Sequence, residues 1–305
     1  MPKISVIIPT YNGSGCVEEC LNSVVAQEGA GDAFDLEIIA VDDHSTDGTT
    51  DLMKKFPGIR ILRTKRHSGG PNAGKNIGLL AATGDYVTFI DQDDGWSAAK
   101  IKRQLEMVPH APIVFCDFQI VDKPTGKTDV YSDMSNRVIC SETNALFLRV
   151  LKWKHHIKKP QPLMSSLLIH KSLIHIRFEE HFGFCDFDYG LRLFENRRTA
   201  HICFPLVTRY VHGQNLSLDP DYRRTVYHYN AMILDAYEDR YPKEARIALA
   251  NLNGTYARYF YKMGQMKKAR KYLMRSAKNW KTAGYWMTSF LGSRYVRNRY
   301  RIFGT

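Results

Sequence analysis

The chain has 305 residues, enough for one large domain with an appendage or for two domains. Hydrophobic residues make up 44% and charged residues 24%, which excludes a disordered chain, a collagen and a coiled coil. The net charge is +12, yet 14 Lys and Arg and no Asp or Glu lie between Ala245 and Thr305, so the rest balances 29 bases against 31 acids.

Ile4–Ile8 is a β-branched run interrupted only by Ser5, the pattern of a strand buried on both faces. It is too short for a signal peptide and is interrupted by Pro9, so the protein is expected to stay inside the cell. Val17–Val25 carries Val17, Leu21, Val24 and Val25 at helical spacing. Leu36–Val41 is a second buried strand, and Ser45 or Thr46 can cap a helix with Leu52, Met53 and Phe56 on its inner face. Ile59–Leu62 is a third strand. Pro71 and Asn72 open a helix to Ala82, and Gly84 stops it. Tyr86–Ile90, the helix Ser97–Met107 and the strand Pro112–Cys116 follow. Short links between strands and helices predict a doubly wound, mostly parallel α/β sheet, with ligands at the carboxyl ends of its strands.

Residues 118–137 are polar and turn-rich, and residues 152–162 form a basic, proline-bearing loop. Ser165–Ile169 and Ile202–Val211 continue the strands around a helix from about Asp188 to Asn196. Beyond Asp221 the pattern is helical throughout. The boundary is expected near 216–221, giving a catalytic domain over 1–218 and a basic helical region over 219–305. No apolar run approaches the roughly 18 residues of a membrane span. The six cysteines form no CxxC pair, so neither zinc nor disulfides are expected.

Two glycine motifs come close to nucleotide fingerprints. Gly13-Ser-Gly15-Cys-Val-Glu18 has a glutamate where the third dinucleotide-binding glycine belongs. Gly69-Gly-Pro-Asn-Ala-Gly74-Lys75-Asn76 lacks the hydroxyl that ends a P-loop, and Pro71 removes an amide from its cradle. What remains is a helix start that attracts phosphate, with Lys75 one turn in.

Acids cluster where strands end: Asp42 and Asp43, then Asp91, Asp93 and Asp94, then Asp186 and Asp188. One such group is an ordinary cap or turn. Several converging on one crevice would repel each other without a cation, and oxygen-rich sites of this kind suit magnesium or manganese with water and phosphate as the other ligands.

Four segments together resemble the family 2 glycosyltransferases, inverting GT-A enzymes that use nucleotide sugars. They are Ile4-Ser-Val-Ile-Ile-Pro-Thr-Tyr-Asn12, Glu37-Ile-Ile-Ala-Val-Asp-Asp-His-Ser-Thr-Asp-Gly48, Gly69 to Gly78, and Gly84-Asp-Tyr-Val-Thr-Phe-Ile-Asp-Gln-Asp-Asp94. The resemblance implies that Pro9 and Tyr11 line a base pocket and that Asp43, with Asp42, reads the base edge. Asn72 and Lys75 would meet ribose or phosphate. Asp91 and Asp93 form the DxD motif, with Asp93 on a Mn2+ or Mg2+ ion, Asp91 on ribose or a metal-bound water, and Asp94 a third member or a helix cap. Cys185-Asp186-Phe-Asp188 resembles the acceptor-side motif, with Asp186 as general base and a cysteine in place of the usual glutamate. Tyr210-Val-His212 resembles a segment near the diphosphate, placing His212 on phosphate or metal. His44, His67 and the His155–His156 pair have no assigned role.

The implied activity is metal-dependent transfer from a nucleoside diphosphate sugar, UDP-linked as the first expectation, to a saccharide or lipid-linked acceptor. The rivals are a nucleotide-sugar binder that has lost transfer, motivated by Cys185, and a nucleotidyltransferase. The tail interleaves Lys and Arg with aromatics, and Gly264–Leu273 resembles one tetratricopeptide-repeat helix. It is either a hairpin packed on the catalytic domain or a contact with the anionic inner face of the plasma membrane, at about 1 kcal/mol per basic residue. Nucleic acid is not an expected partner.

Overall fold

The computed structural model describes residues 1–153, 160–181, 186–212, 220–278 and 280–292. They form two compact units, Met1–Phe147 with His155–Tyr222, and Leu148–Lys154 with Arg223–Thr305. The boundary expected at 218–219 falls outside the described residues.

The first unit is built on one ten-stranded sheet. β1 (Lys3–Thr10), β2 (Asp35–Asp42), β3 (Arg60–Arg63) and β4 (Tyr86–Phe89) lie parallel in the order β3-β2-β1-β4. β1 pairs Ile7 with Ile39 on one side and with Phe89 on the other, so its β-branched run is buried from both directions. The sheet continues through β9 (Leu167–His170), β6 (Ile113–Asp122), β10 (Thr199–Val211) and β5 (Asp94–Trp96). β7 (Thr128–Tyr131) pairs with β6 and β8 (Val138–Ser141) with β10. β5, β7, β8 and β9 are antiparallel to their neighbours, and the other six strands share one direction. The predicted doubly wound α/β sheet is thus present.

Helices α1 (Val17–Val25), α2 (Thr49–Met53), α3 (Pro71–Ala81) and α4 (Lys100–Leu105) follow in the expected places. α2 starts later than Ser45 or Thr46, because Gly48 takes a left-handed φ of 88° as its N-cap. α3 lies tight on β1: a Cβ on Gly78 would collide with the Ile7 side chain. α5 (Ala145–Leu151) and the marginal strands β7 and β8 were not predicted. β7 and β8 are short and largely exposed, so they lack the apolar alternation that marks a strand. α6 (Asp186–Phe194) precedes β10. The described cysteines Cys16, Cys20, Cys116, Cys140 and Cys203 are free.

The second unit is helical: α7 (Pro220–Ala236), α8 (Pro242–Lys262), α9 (Met266–Arg275) and α10 (Trp280–Thr288). α8 and α9 form a hairpin whose contact buries Ala257, Tyr261, Met266, Ala269 and Leu273, with Tyr285 of α10 closing the cluster.

Lys100 is fully buried on α4. Its ammonium meets Gln104 Oε1 at 2.9 Å, Thr88 Oγ1 at 3.4 Å and the Trp96 ring at 3.9 Å from the centroid. Burial therefore pulls it from its ordinary 10.5 down to about 7. Between those values the unfolded chain carries a proton that the folded chain lacks, so stability rises with pH across that window. The Lys100→Met variant should be the more stable at neutral pH. Its advantage in denaturant titrations should shrink by at most about 1.4 kcal/mol per pH unit as pH climbs. A pH-independent difference would show that Lys100 stays charged in the fold.

Candidate active site

The strand order reverses direction at β1 and β4, and an open sheet leaves a crevice at such a point. Here the crevice is a cavity of about 1200 Å³, lined by the ends of β1, β2 and β4, the start of α3, and Asp186, Arg209 and His212.

Pro9 and Tyr11 leave β1 on the cavity wall. Gln92 holds Tyr11 by both backbone groups: the Tyr11 amide donates to Oε1 at 2.9 Å, and Nε2 donates to the Tyr11 carbonyl at 2.8 Å. The middle residue of the Asp91-Gln92-Asp93 motif thus positions the aromatic ring, a role its sequence position does not announce. His67 stacks on the Tyr11 ring with centroids 4.3 Å apart. His67 had no assigned role in the sequence; the structure brings it into the cavity because its Nδ1 lies 3.0 Å from Asp43 Oδ2.

Asp43 is buried and holds the 64–68 loop. It accepts from Thr64 Oγ1 at 2.7 Å, from the Ser68 amide at 3.0 Å and from Ser68 Oγ at 2.9 Å. Asp42 does not line the cavity. Its carboxylate accepts from the Ser45 amide at 3.2 Å and sits 3.5 Å from Arg63 Nε. Asn72 is also outside the cavity. At the second position of a helix that presses on the sheet, it is buried and donates Nδ2 to the Glu179 carbonyl at 2.6 Å. Both side chains are instead engaged by neighbouring protein groups.

Lys75 reaches the cavity floor with 1% of its side chain exposed. Its ammonium lies 3.3 Å from Asp186 Oδ1 and 3.4 Å from Asp91 Oδ1. Burial alone would pull its pKa down; Asp186 and Asp91 together outweigh burial and raise it. About half of the Asp186 side chain faces the cavity, but so deep a recess limits its hydration. The restricted solvation raises its pKa, with Lys75 opposing. Cys185, before it, lies outside the described residues.

Asp93 is raised by burial and then by Asp91, and His212 Nε2 stands 3.4 Å from its Oδ2. Asp94 does not cap a helix. It begins β5, where Ser165 Oγ donates to it at 2.5 Å, and burial keeps its carboxyl well above the usual range. Arg209, paired with Asp94 across β10 and β5, faces the same cavity and lowers both Asp93 and Asp186; its single charge on a strand gave no sequence signal.

The donor set suits a hard divalent cation. Asp93 and His212 offer an oxygen and a nitrogen side by side, and burial next to Asp91 favours a counter-charge there. Mg2+ and Mn2+ commonly use one or two carboxylates and leave other positions to water and phosphate. Asp91, Asp93 and His212 do not gather three ligand atoms within 4.8 Å. Among the described residues that closeness occurs at Asp117, His201 and Cys203. These are buried in the sheet, where His201 Nε2 meets Asp117 Oδ1 at 2.6 Å and Ser132 donates to the other carboxylate oxygen at 2.6 Å, a network complete in itself.

The Glycosyl transferase family 2 profile matches residues 5–164. The poly(ribitol-phosphate) beta-glucosyltransferase of Bacillus spizizenii is 41% identical over 96 residues, 30% of this chain and 15% of that one. The GalNAc(5)-diNAcBac-PP-undecaprenol beta-1,3-glucosyltransferase of Campylobacter jejuni is 42% identical over 98 residues, 31% of this chain and 30% of that one. The chain therefore spans less than a third of either relative by matched length. The structure of Staphylococcus aureus TarS 1–349 in complex with UDP-GlcNAc superposes with a TM-score of 0.64 over 97% of this chain and 89% of that one, at 19% identity, which establishes a shared fold.

The Gln92 clamp makes a direct prediction. In Gln92→Ala the Tyr11 amide should exchange with solvent about three- to tenfold faster, as expected for one lost hydrogen bond. The Ser68 amide, held by Asp43, should keep its rate. Unchanged Tyr11 exchange would mean that the clamp is not formed.

Proposed function

The chain belongs to glycosyl transferase family 2, and on that premise we propose that it moves a sugar from a nucleoside diphosphate sugar, with inversion, to a saccharide or lipid-linked saccharide in cell-surface polysaccharide synthesis. The observation that carries this reading is the convergence of Tyr11, Asp43, Lys75, Asp91, Asp93 and Asp186 on one cavity at the strand ends. The UDP-GlcNAc held by the TarS structure supports UDP as the nucleotide, and the undecaprenol-linked acceptor in the name of the Campylobacter relative supports a lipid-linked one. Both suit action at the inner face of the plasma membrane.

In this mechanism the acceptor hydroxyl attacks the anomeric carbon from the side opposite the diphosphate. Asp186 takes its proton at a carboxylate oxygen, a contribution of about 10²–10⁴-fold. A base must be ionised to act, and Lys75 at 3.3 Å favours the ionised form against the limited hydration of the recess. Lys75, Arg209 and the start of α3 supply fixed positive potential to the departing diphosphate. Asp93 and His212 would hold a Mn2+ or Mg2+ ion, which when bound offsets the leaving group's charge as a Lewis acid. One base and one displacement invert the sugar carbon, with no carboxylate nucleophile required.

The nucleobase has two tasks on entering. Stacking on Tyr11 competes with the His67 ring, and an imide reaching Asp43 meets a carboxylate that already accepts from Thr64 and Ser68, with the His67 ring nitrogen 3.0 Å from Oδ2 and bonded to the Asp43 carbonyl. Base binding therefore displaces His67.

Thermal-shift titration with UDP, GDP, CDP and TDP, each with and without manganese, tests the reading. One nucleotide at 100 times its Kd should stabilise by about 2.7 kcal/mol, only with metal, and Asp93→Ala should abolish the effect. Asp186→Asn should keep that shift while turnover drops about 10²–10⁴-fold. No shift with any nucleotide would falsify the assignment, and turnover surviving in Asp186→Asn would remove its base. His67→Ala should tighten nucleotide binding about two- to tenfold by removing the competing stack. Weaker binding in that variant would mean that His67 stacks on the base instead of yielding to it.

A further inference from the structure

The end of the second unit turns apolar side chains outward. Trp280, Met287, Phe290 and Leu291 are 68%, 65%, 63% and 57% exposed. With exposed Ala283 they follow the spacing i, i+3, i+7 and i+10/i+11 along α10 and the turn after it, which is one helical face. The opposite face does the packing, with Tyr285 and Ser289 buried and Tyr285 inside the α8–α9 cluster. α10 is thus apolar on its outward face as well as on the face that packs. Four large apolar side chains side by side are uncommon on the surface of a soluble protein unless they meet something.

Cations border this face. Lys267, Lys268, Lys271 and Arg275 are exposed on α9, and Lys278 follows. The Arg270 guanidinium lies 4.5 Å from the centroid of the Phe290 ring, so basic and apolar groups touch. The sequence after Leu291 adds Arg294, Arg297, Arg299 and Arg301 among Tyr295, Val296, Tyr300, Ile302 and Phe303, and no acid occurs after Glu244. Among the described residues no helix is long and apolar enough to cross a membrane.

We propose that this face of α10, with the basic side of α9, docks on the surface of an anionic lipid bilayer. Phe290, Leu291 and Met287 enter the boundary between headgroups and acyl chains, Trp280 sits at headgroup level, and the lysines pair with anionic lipid. A bilayer surface offers hydrocarbon and negative charge at once, which the mixed face requires. A nucleic acid supplies the charge without the hydrocarbon. The inference stands on the second unit and does not rest on the catalytic assignment.

Co-sedimentation of the full chain with vesicles tests it, using phosphatidylcholine alone and phosphatidylcholine with one-third phosphatidylglycerol. The wild type should bind the anionic vesicles at least about tenfold more tightly than the neutral ones, and high salt should weaken binding. Met287→Ser with Phe290→Ser should lower affinity at least about tenfold. The separate variant Lys267→Gln with Lys268→Gln and Lys271→Gln should lower it about fivefold per lysine. Both should keep the wild-type circular dichroism spectrum and nucleotide thermal shift. Equal binding to both vesicle types, or full binding by the Ser variant, overturns the proposal. So does self-association in sedimentation velocity that the Ser variant abolishes, since the face would then seat a second copy. Displacement of the vesicles by a single-stranded oligonucleotide at low excess would overturn it in favour of a nucleic-acid surface.

Discussion

Three carboxylates, Asp91, Asp93 and Asp186, gather at the carboxyl edge of a parallel sheet, and a single buried ammonium lies between two of them. Burial and neighbouring carboxylates raise the carboxyls of Asp93 and Asp186, and Lys75 opposes that rise at Asp186. Through Lys75, Asp91 and Asp186 are tied to one point of α3. Everything that sets α3 therefore sets the chemistry. The helix stands close to β1 because Gly78 leaves room for Ile7, and Gly74 in the same way approaches Pro9. A side chain at Gly78 would force the helix or strand to shift, whereas at Gly74 the nearest Pro9 atom, 3.2 Å away, need give only slightly.

α3 also holds the polypeptide that leads toward the proposed base. Asn76 Nδ2 donates to the Phe178 carbonyl at 2.9 Å, and its Oδ1 accepts from the Phe178 amide at 2.8 Å. Asn72 adds its bond to Glu179. These buried amides act as a strand partner for residues 178–179. Asn72 is thus useful to the site without touching it. It fixes where the chain stands shortly before α6 begins at Asp186, while Lys75 fixes the carboxylate itself. Tyr189, one turn into α6, stacks on Phe178 at 3.7 Å and closes the same unit from the apolar side.

The centre of the parallel sheet was legible because β1 and β2 are largely buried and run almost wholly apolar, as in Ile4–Ile8 and Leu36–Val41, with Ser5 and Glu37 the exceptions. The acids were legible by position, since a strand's end in such a sheet faces the crevice. Side-chain direction within those ends was not. Asp42 and Asp43 are adjacent in sequence, and in extended chain adjacent residues point to opposite sides. Only Asp43 lines the cavity, while Asp42 caps its own turn through Ser45. Gln92, His67 and Arg209 were missed because each acts through a contact with a distant segment. β5, β7 and β8 were missed because a short strand at a sheet's margin needs little apolar surface of its own.

Charge is distributed between the two units along functional lines. The first unit carries its acids inward at the strand ends, where a few cations answer them, and the remainder of its sequence is nearly balanced. The second unit concentrates lysine and arginine with no acid after Glu244, so nothing within that stretch can neutralise them. Such an excess destabilises a compact unit by self-repulsion. The α8–α9 hairpin tolerates it by burying Ala257, Tyr261, Ala269 and Leu273 and turning its lysines to solvent. Solvating that charge does not explain why α10 then exposes Met287, Phe290 and Leu291, because apolar groups gain nothing from a cationic surround in water. The two features become consistent only where charge and apolar surface are answered together, as at an anionic interface.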